Sequence, residues 1–264
     1  MTDVPASMVK ELRLMTGAPM MDCKRALQET GGDLDAAARL LREQGIASAA
    51  KRAARETTEG KVLARTADRR GTIVAVGCET EPVSKNDEFV AFAEKLLDSV
   101  DANGPEATAR LEEERAELSG RLGENGGVRG AERFVGGDGE VVAAYVHRPA
   151  EKIGVLVRAK ADEDLARLVA MHVAASRPRY LSRDDVPAEE VDLERDIYAR
   201  LPDVESKPEH LRPQIVEGMI AKRFYAENVL VDQPWIHDPS LTVGKALAER
   251  GAEVREFVRL SVAE

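Results

Sequence analysis

The feature that most limits what this chain can fold into is a plan that occurs twice. Residues 62–66 and 72–78 read as a β-hairpin joined at 67–71, and a helix follows with Phe89, Phe92, Ala93, Leu96 and Leu97 on one face. Residues 141–146 and 153–159 read as a second hairpin, followed by Leu165, Leu168, Val169, His172 and Val173. Both helices place apolar residues at i, i+3, i+4, i+7 and i+8, a single buried stripe. The pattern predicts an α+β fold with two related core subdomains, each a small antiparallel sheet with helices on one face. The copies differ between strand and helix, where the first carries a longer connection within residues 79–86. A unit that packs with the short connection does not need the long one, so 79–86 is a candidate working loop. Spacing alone leaves a drifted surface loop equally open.

The first 45 residues predict a three-helix module. Val9 and Leu12 mark one helix, and Met20, Cys23 and Leu27 form the inner face of a second that opens after Pro19. Gly31 and Gly32 break it, Asp33 caps a third helix bearing Leu34, Ala37, Ala38 and Leu41, and Gly45 is expected to stop that one. Of the adjacent Met20 and Met21, one is expected in the core and one outside. Residues 46–60 read as a helical linker. Between the two repeats lie a charged helix at 106–122 and a glycine-rich stretch at 123–139, whose first part reads as a turn. Beyond Pro178, one helix with Leu193, Ile197 and Leu201 and another with Val216, Met219, Ile220 and Phe224 flank a proline-marked turn, which predicts a projecting antiparallel helical hairpin. A helix at 242–250 and a last strand at 253–262, with Val254, Val258, Leu260 and Val262 on one face, return to complete the second sheet. The expected division is a docking module and linker at 1–55, a first core subdomain at 56–140 and the start of a second at 141–180. The hairpin then spans 181–230, and 231–264 completes the second subdomain.

Catalytic and cofactor chemistry finds no constellation here. There is no G-x-x-x-x-G-K-[ST] phosphate loop, no H-E-x-x-H and no paired cysteine motif. Cys23 and Cys78, the only two cysteines, read as small buried hydrophobes, and a reducing compartment fits them. His172 falls on an apolar stripe and is expected to be a core histidine with a satisfied hydrogen bond, while Trp235 reads as a packing anchor. Asp184, Asp185, Glu189 and Glu190 flank Pro187, where negative charge suits a helix start without a metal. A formal charge of −10 argues against wrapping a nucleic-acid backbone, and 4% aromatic residues argue against a large aromatic pocket. The opening Met1-Thr2-Asp3-Val4-Pro5 lacks a basic stretch before an apolar run, and no apolar run reaches the ~18 residues of a membrane span, so a cytoplasmic protein with no membrane contact is expected.

Ordered stretches along the chain resemble one known family. Residues 12–27 read Leu-Arg-Leu-Met-Thr-Gly-Ala-Pro-Met-Met-Asp-Cys-Lys-Arg-Ala-Leu, and residues 78–86 read Cys-Glu-Thr-Glu-Pro-Val-Ser-Lys-Asn. With His147, 153–157, 171–176, 180–187, 215–218 and 242–244, they are similar to the elongation factor Ts family over almost the whole chain. The resemblance implies a UBA-like N-terminal module, two core subdomains and a helical hairpin that in some members makes a homodimer. It also implies a guanine-nucleotide exchange factor, not an enzyme, with no cofactor or metal of its own and with the GTPase elongation factor Tu as partner. Carried over by position, Arg13, Met20 and Met21 would dock, and Thr80, Glu81, Pro82 and Val83 would form the loop that dislodges the partner's Mg2+. His147 would be a supporting contact. Glu81 and Pro82 stand where the family motif has Asp and Phe. A non-catalytic adaptor that uses the N-terminal module for some other partner is the alternative.

Overall fold

The structure, a computed structural model, describes residues 4–263. Met1, Thr2, Asp3 and Glu264 lie outside the described residues, and the leader reading rests partly on them. The fold is mixed α+β, with three N-terminal helices followed by several small antiparallel sheets with helices. Helices α1 (Ala6–Thr16), α2 (Met20–Glu29) and α3 (Leu34–Arg52) bury Val9, Leu12, Cys23, Ala26, Leu27, Ala37 and Leu41 against one another. Met20 does not join them. It is 51% exposed and Met21 is 69% exposed, so both methionines face out, because Cys23, Ala26 and Leu27 already fill the inner face of α2.

Gly45 does not end the third helix. α3 runs through it to Arg52, and the expected linker is helical only that far. The reason lies across the interface. α3 packs on α6, and a Cβ on Gly120 of α6 would stand 2.6 Å from the Gly45 Cα. A glycine inside a helix costs roughly 0.5–1 kcal/mol against alanine, and here it allows two backbones to meet.

Strands β1 (Glu59–Ala67) and β2 (Arg70–Cys78) form the first hairpin, followed by the single turn α4 (Glu81–Ser84) and helix α5 (Asp87–Asn103). A 3-10 segment, Pro105–Leu111, leads into α6 (Glu112–Leu122). The glycine-rich stretch then supplies a strand that its composition hid. β3 (Gly127–Val135) pairs antiparallel with β2 and gives the first sheet the order β1-β2-β3. β4 (Val141–Val146), β5 (Ile153–Lys160) and helix α7 (Glu163–Ser176) follow.

Next come α8 (Ala188–Ala199), the short α9 (Pro202–Glu205), α10 (Arg212–Met219), which continues through a π-helical segment, and α11 (Ala226–Asn228). Val191, Val204, Val216, Ile220 and Phe224 make their shared core. Leu193 and Ile197 lie on the outer side of α8, 61% and 46% exposed, opposite to expectation, since Val191 takes the inward position. A small ribbon, β6 (Pro234–Trp235) with β7 (Asp238–Thr242), and helix α12 (Val243–Ala248) precede β8 (Glu253–Ser261). β8 joins β5, giving the order β4-β5-β8.

The two sheets meet face to face. Val62, Ile73, Ala75 and Phe134 of the first pack with Val142, Leu156 and Val262 of the second. A Cβ on Gly154 would stand 2.5 Å from Val62 Cγ1, so the sheets approach where a side chain is missing. On the outer faces, Val74, Val76 and Cys78 meet α5, while Val155, Val157 and Ala159 meet α7. Strands buried on both faces explain why nearly all of β2 is inaccessible. Val254 leaves the stripe assigned to it. A bulge between Arg158 and Ala159 shifts the pairing, so Val254 packs under α7 while Val258, Leu260 and Val262 turn toward the first sheet.

Candidate functional site

The working-loop candidate occupies one edge of this stack. β2 ends at Cys78, whose ladder partner is Glu59, and the chain leaves the sheet at Glu79 and Thr80. Thr80 is extended (φ −130°, ψ 152°), and α4 begins at Glu81 with Pro82 in its first turn. Proline there forfeits no hydrogen bond, since the first helical N–H groups lack intrahelical acceptors. The extended approach therefore stops at Thr80, and Glu81 stands at the start of a helical turn. Ser84 is buried and closes the turn on the Glu81 carbonyl at 2.7 Å. Asn86 then caps α5 by accepting from the Glu88 and Phe89 amides.

Thr80, Glu81 and Pro82 are exposed, and Val83 is half-buried against the α5 core. Lys85 donates to Glu81 Oε1 at 2.6 Å and holds its carboxyl below the usual carboxylate range, with Lys152 of the β4–β5 turn acting in the same direction. Lys152 also bridges to Glu59 at 2.5 Å, which ties that turn to the same edge. His147 opens the turn. It is exposed, and its Nδ1 lies 2.9 Å from the Tyr145 hydroxyl. The loop and the His147 turn thus share one edge of the molecule.

The docking candidates sit on another element. Arg13, Met20 and Met21 are exposed on α1 and α2, together with Leu14 and Met15, which the sequence reading passed over. The phase of α1 could have revealed them, because a helix that buries Val9 and Leu12 turns residues 14 and 15 outward. A Cβ on Gly17, in the turn between these helices, would stand 3.2 Å from Arg121 Cδ, and Arg121 pairs with Glu88 of α5 at 2.9 Å. The turn between α1 and α2 therefore stands near the helix that the loop leads into. Flexible methionine side chains suit a contact surface. The module is held on α6 by Arg42, which pairs with Glu113 at 2.6 Å and with Glu117.

The remaining candidates are structural. His172 is fully buried. Its Nε2 donates to Gln233 Oε1 at 2.9 Å, because the Gln233 amide nitrogen is committed to the Ser176 and Glu227 carbonyls, and its Nδ1 accepts from the Ile236 amide. Burial holds it below the usual imidazole range, so the neutral ring fills its place. Trp235 packs against it at 5.2 Å between ring centres. Burial pushes the Cys78 thiol up to about 12 and raises that of Cys23, which favours the protonated thiol in both. Asp185 forms a capping box with Ser182, and Glu190 accepts from Arg179 and Tyr180. No helix among the described residues is long and apolar enough to cross a membrane.

Comparison with known proteins concerns the chain as a whole. The model of the family described as Elongation factor TS matches residues 79–264, beginning at the loop. The chain is 42% identical over 264 residues to "Elongation factor Ts" of Shewanella amazonensis, covering 99% of this chain and 91% of that protein. It is 43% identical over 269 residues to the protein of the same name from Pasteurella multocida, covering 100% and 93%. For that of Vibrio cholerae the identity is 42% over 264 residues, covering 99% and 92%. The relatives therefore span the N-terminal helices that lie outside the family match.

Proposed function

The chain belongs to the elongation factor Ts family, and from that membership we propose that it binds elongation factor Tu in its GDP form and promotes release of the nucleotide in the cytoplasm. Members of the family are exchange factors of translation elongation and not enzymes. The observation that carries the reading is similarity along the full chain to proteins of that name.

In this reading Arg13, Met20 and Met21, with Leu14 and Met15, dock on the GTPase. Thr80, Glu81, Pro82 and Val83 enter the Mg2+ and phosphate site, and His147 supports them from the neighbouring turn. Pro82 cannot wedge as an aromatic ring would. Glu81 does the work instead, as a carboxylate on a stiff turn that competes for the cation. The two sheet-and-helix units are related copies, which their matching strand orders support. We retain the division at 1–55, 56–140, 141–180, 181–230 and 231–264, with the α8–α10 pair as the projecting hairpin. Exposed Leu193 and Ile197 give that hairpin a face for a second copy.

Linkage supplies the energetics. A factor that binds the empty GTPase more tightly than the GDP form weakens GDP binding by the same ratio. Speeding release about a thousandfold requires favouring the opened state by roughly 4 kcal/mol. Displacing a cation that bridges phosphate and protein is a source of that size. The test is stopped-flow release of a fluorescent GDP from elongation factor Tu. Catalytic acceleration by substoichiometric protein is expected, and an unchanged rate would leave only the adaptor reading.

A further inference from the structure

Two amides at the entrance to the loop have left the sheet. The β1–β2 ladder ends at the Glu59 and Cys78 pair, so the N–H groups of Glu79 and Thr80 need another acceptor. Both go to one side chain. Glu124 Oε2 accepts from the Glu79 amide at 3.1 Å and the Thr80 amide at 3.0 Å, while Oε1 accepts from the Thr80 hydroxyl at 2.6 Å. Hydrogen bonds to a carboxylate are shorter and stronger than neutral ones, and three converging donors fix the direction in which the chain enters α4.

The carboxylate is itself anchored. Gly123 closes α6 in the left-handed region at φ 76°, and the Ser119 hydroxyl donates to the Glu124 carbonyl. The next residue extends the connection. The Asn125 amide donates to Glu79 Oε1 at 2.6 Å, and its buried side chain donates to the Ala53 and Arg55 carbonyls, on the stretch leaving α3. The turn after α6 therefore grips both the loop's entrance and the exit from the N-terminal helices. Among the described residues the second half has no counterpart, and Asp162 caps α7 there.

We propose that Glu124 is a positioning residue for nucleotide exchange, setting where Thr80 and Glu81 stand so that the loop meets the partner preformed. The inference rests on the exchange reading above. Glu124 touches neither nucleotide nor cation. It acts by sparing the loop the cost of ordering when it enters the partner's site, and a small displacement of a positioned group can cost about a hundredfold in rate.

Three variants separate position from charge and from fold. Glu124→Ala removes every acceptor. Glu124→Asp keeps the charge and shortens the reach by one methylene. In Glu124→Gln the amide oxygen still accepts both N–H groups, and the Thr80 hydroxyl turns to accept from the amide nitrogen. The measurement is the maximal GDP release rate and the factor concentration giving half of it, with thermal unfolding run on each variant. Expected are a maximal rate lowered about tenfold in Glu124→Ala, a loss of several-fold in Glu124→Asp, and a rate within about twofold of wild type in Glu124→Gln, on the scale of one charge-assisted hydrogen bond. The half-saturating concentration should move by less than about twofold, because the docking patch is untouched. Should Glu124→Ala fail to fold, the contrast between Asp and Gln decides. Wild-type maximal rates in Glu124→Asp and any folded Glu124→Ala would overturn the proposal, as would a loss confined to half-saturation. A wild-type protein that fails to speed release would instead overturn the exchange reading beneath it.

Discussion

The two halves of the core solve one packing problem twice, and along the chain they first differ at the connection from hairpin to helix. Each has three antiparallel strands, a helix on its outer face and a bulge where the third strand joins. Their inner faces merge in one core around Ile73 and Leu156. From β5 to α7 the chain needs only Ala161 and Asp162. From β2 to α5 it spends residues 79–86, adds a helical turn and recruits Glu124 to hold the entrance. The excess in the first half packs Val83 and Ser84 inward and leaves Thr80, Glu81 and Pro82 exposed.

The largest expected effect concerns whether the two halves are independent. Ile73→Ala and Leu156→Ala each remove a fully buried side chain from the shared core, and each should cost about 2–5 kcal/mol in urea unfolding. A silent result for one alone would mean that the sheets do not stand or fall together. A smaller effect sharpens the contrast between the connections. Asn86→Ala and Asp162→Ala each delete a helix cap and should each cost about 1 kcal/mol of stability. Only Asn86→Ala, which frees the far end of the loop, should also slow GDP release. Equal release rates in the two variants would erase the distinction between the connections.

The smallest effect belongs to the second half alone. His172 has its folded pKa held below the usual value near 6.5, so the stability that its neutral form supports is present above about pH 6.5 and is lost as pH falls through the folded value. The urea midpoint should fall between pH 7.5 and 5.5 in the wild type. His172→Gln should be less stable at pH 7.5 and show a flatter profile. A parallel slope in both would remove His172 as the cause.

Much of this architecture was legible because periodicity reports burial. The stripes at Phe89–Leu97 and Leu165–Val173 and both hairpins fall where apolar spacing put them, and the last strand joins the second sheet. What spacing could not carry is contact between elements distant in sequence. Gly45 looks like a helix stop until Gly120 is seen against it, and β3 looks like a turn because its glycines dilute the strand signal. Met20 falls on the predicted inner phase yet stays outside, since small residues beside Cys23 suffice to close a three-helix core. At the candidate site, the loop was visible as an excess over its counterpart. Glu124 was not, because its partners lie far away in sequence, and a glutamate after a glycine gives no local sign of a clamp.

In the proposed exchange reaction the loop opens the partner and the N-terminal helices only hold it. Glu81→Ala tests this most directly, because Glu81 is exposed, makes its contact with Lys85 at the surface and contributes nothing to the core. The measurement is the rate of fluorescent GDP release from elongation factor Tu, set against affinity for the nucleotide-free GTPase. Release slowed at least about fivefold, equivalent to roughly 1 kcal/mol, is expected, with affinity for the empty partner nearly unchanged. Release at the wild-type rate would contradict that role of the loop, and opening would then have to come from the His147 turn and the N-terminal helices.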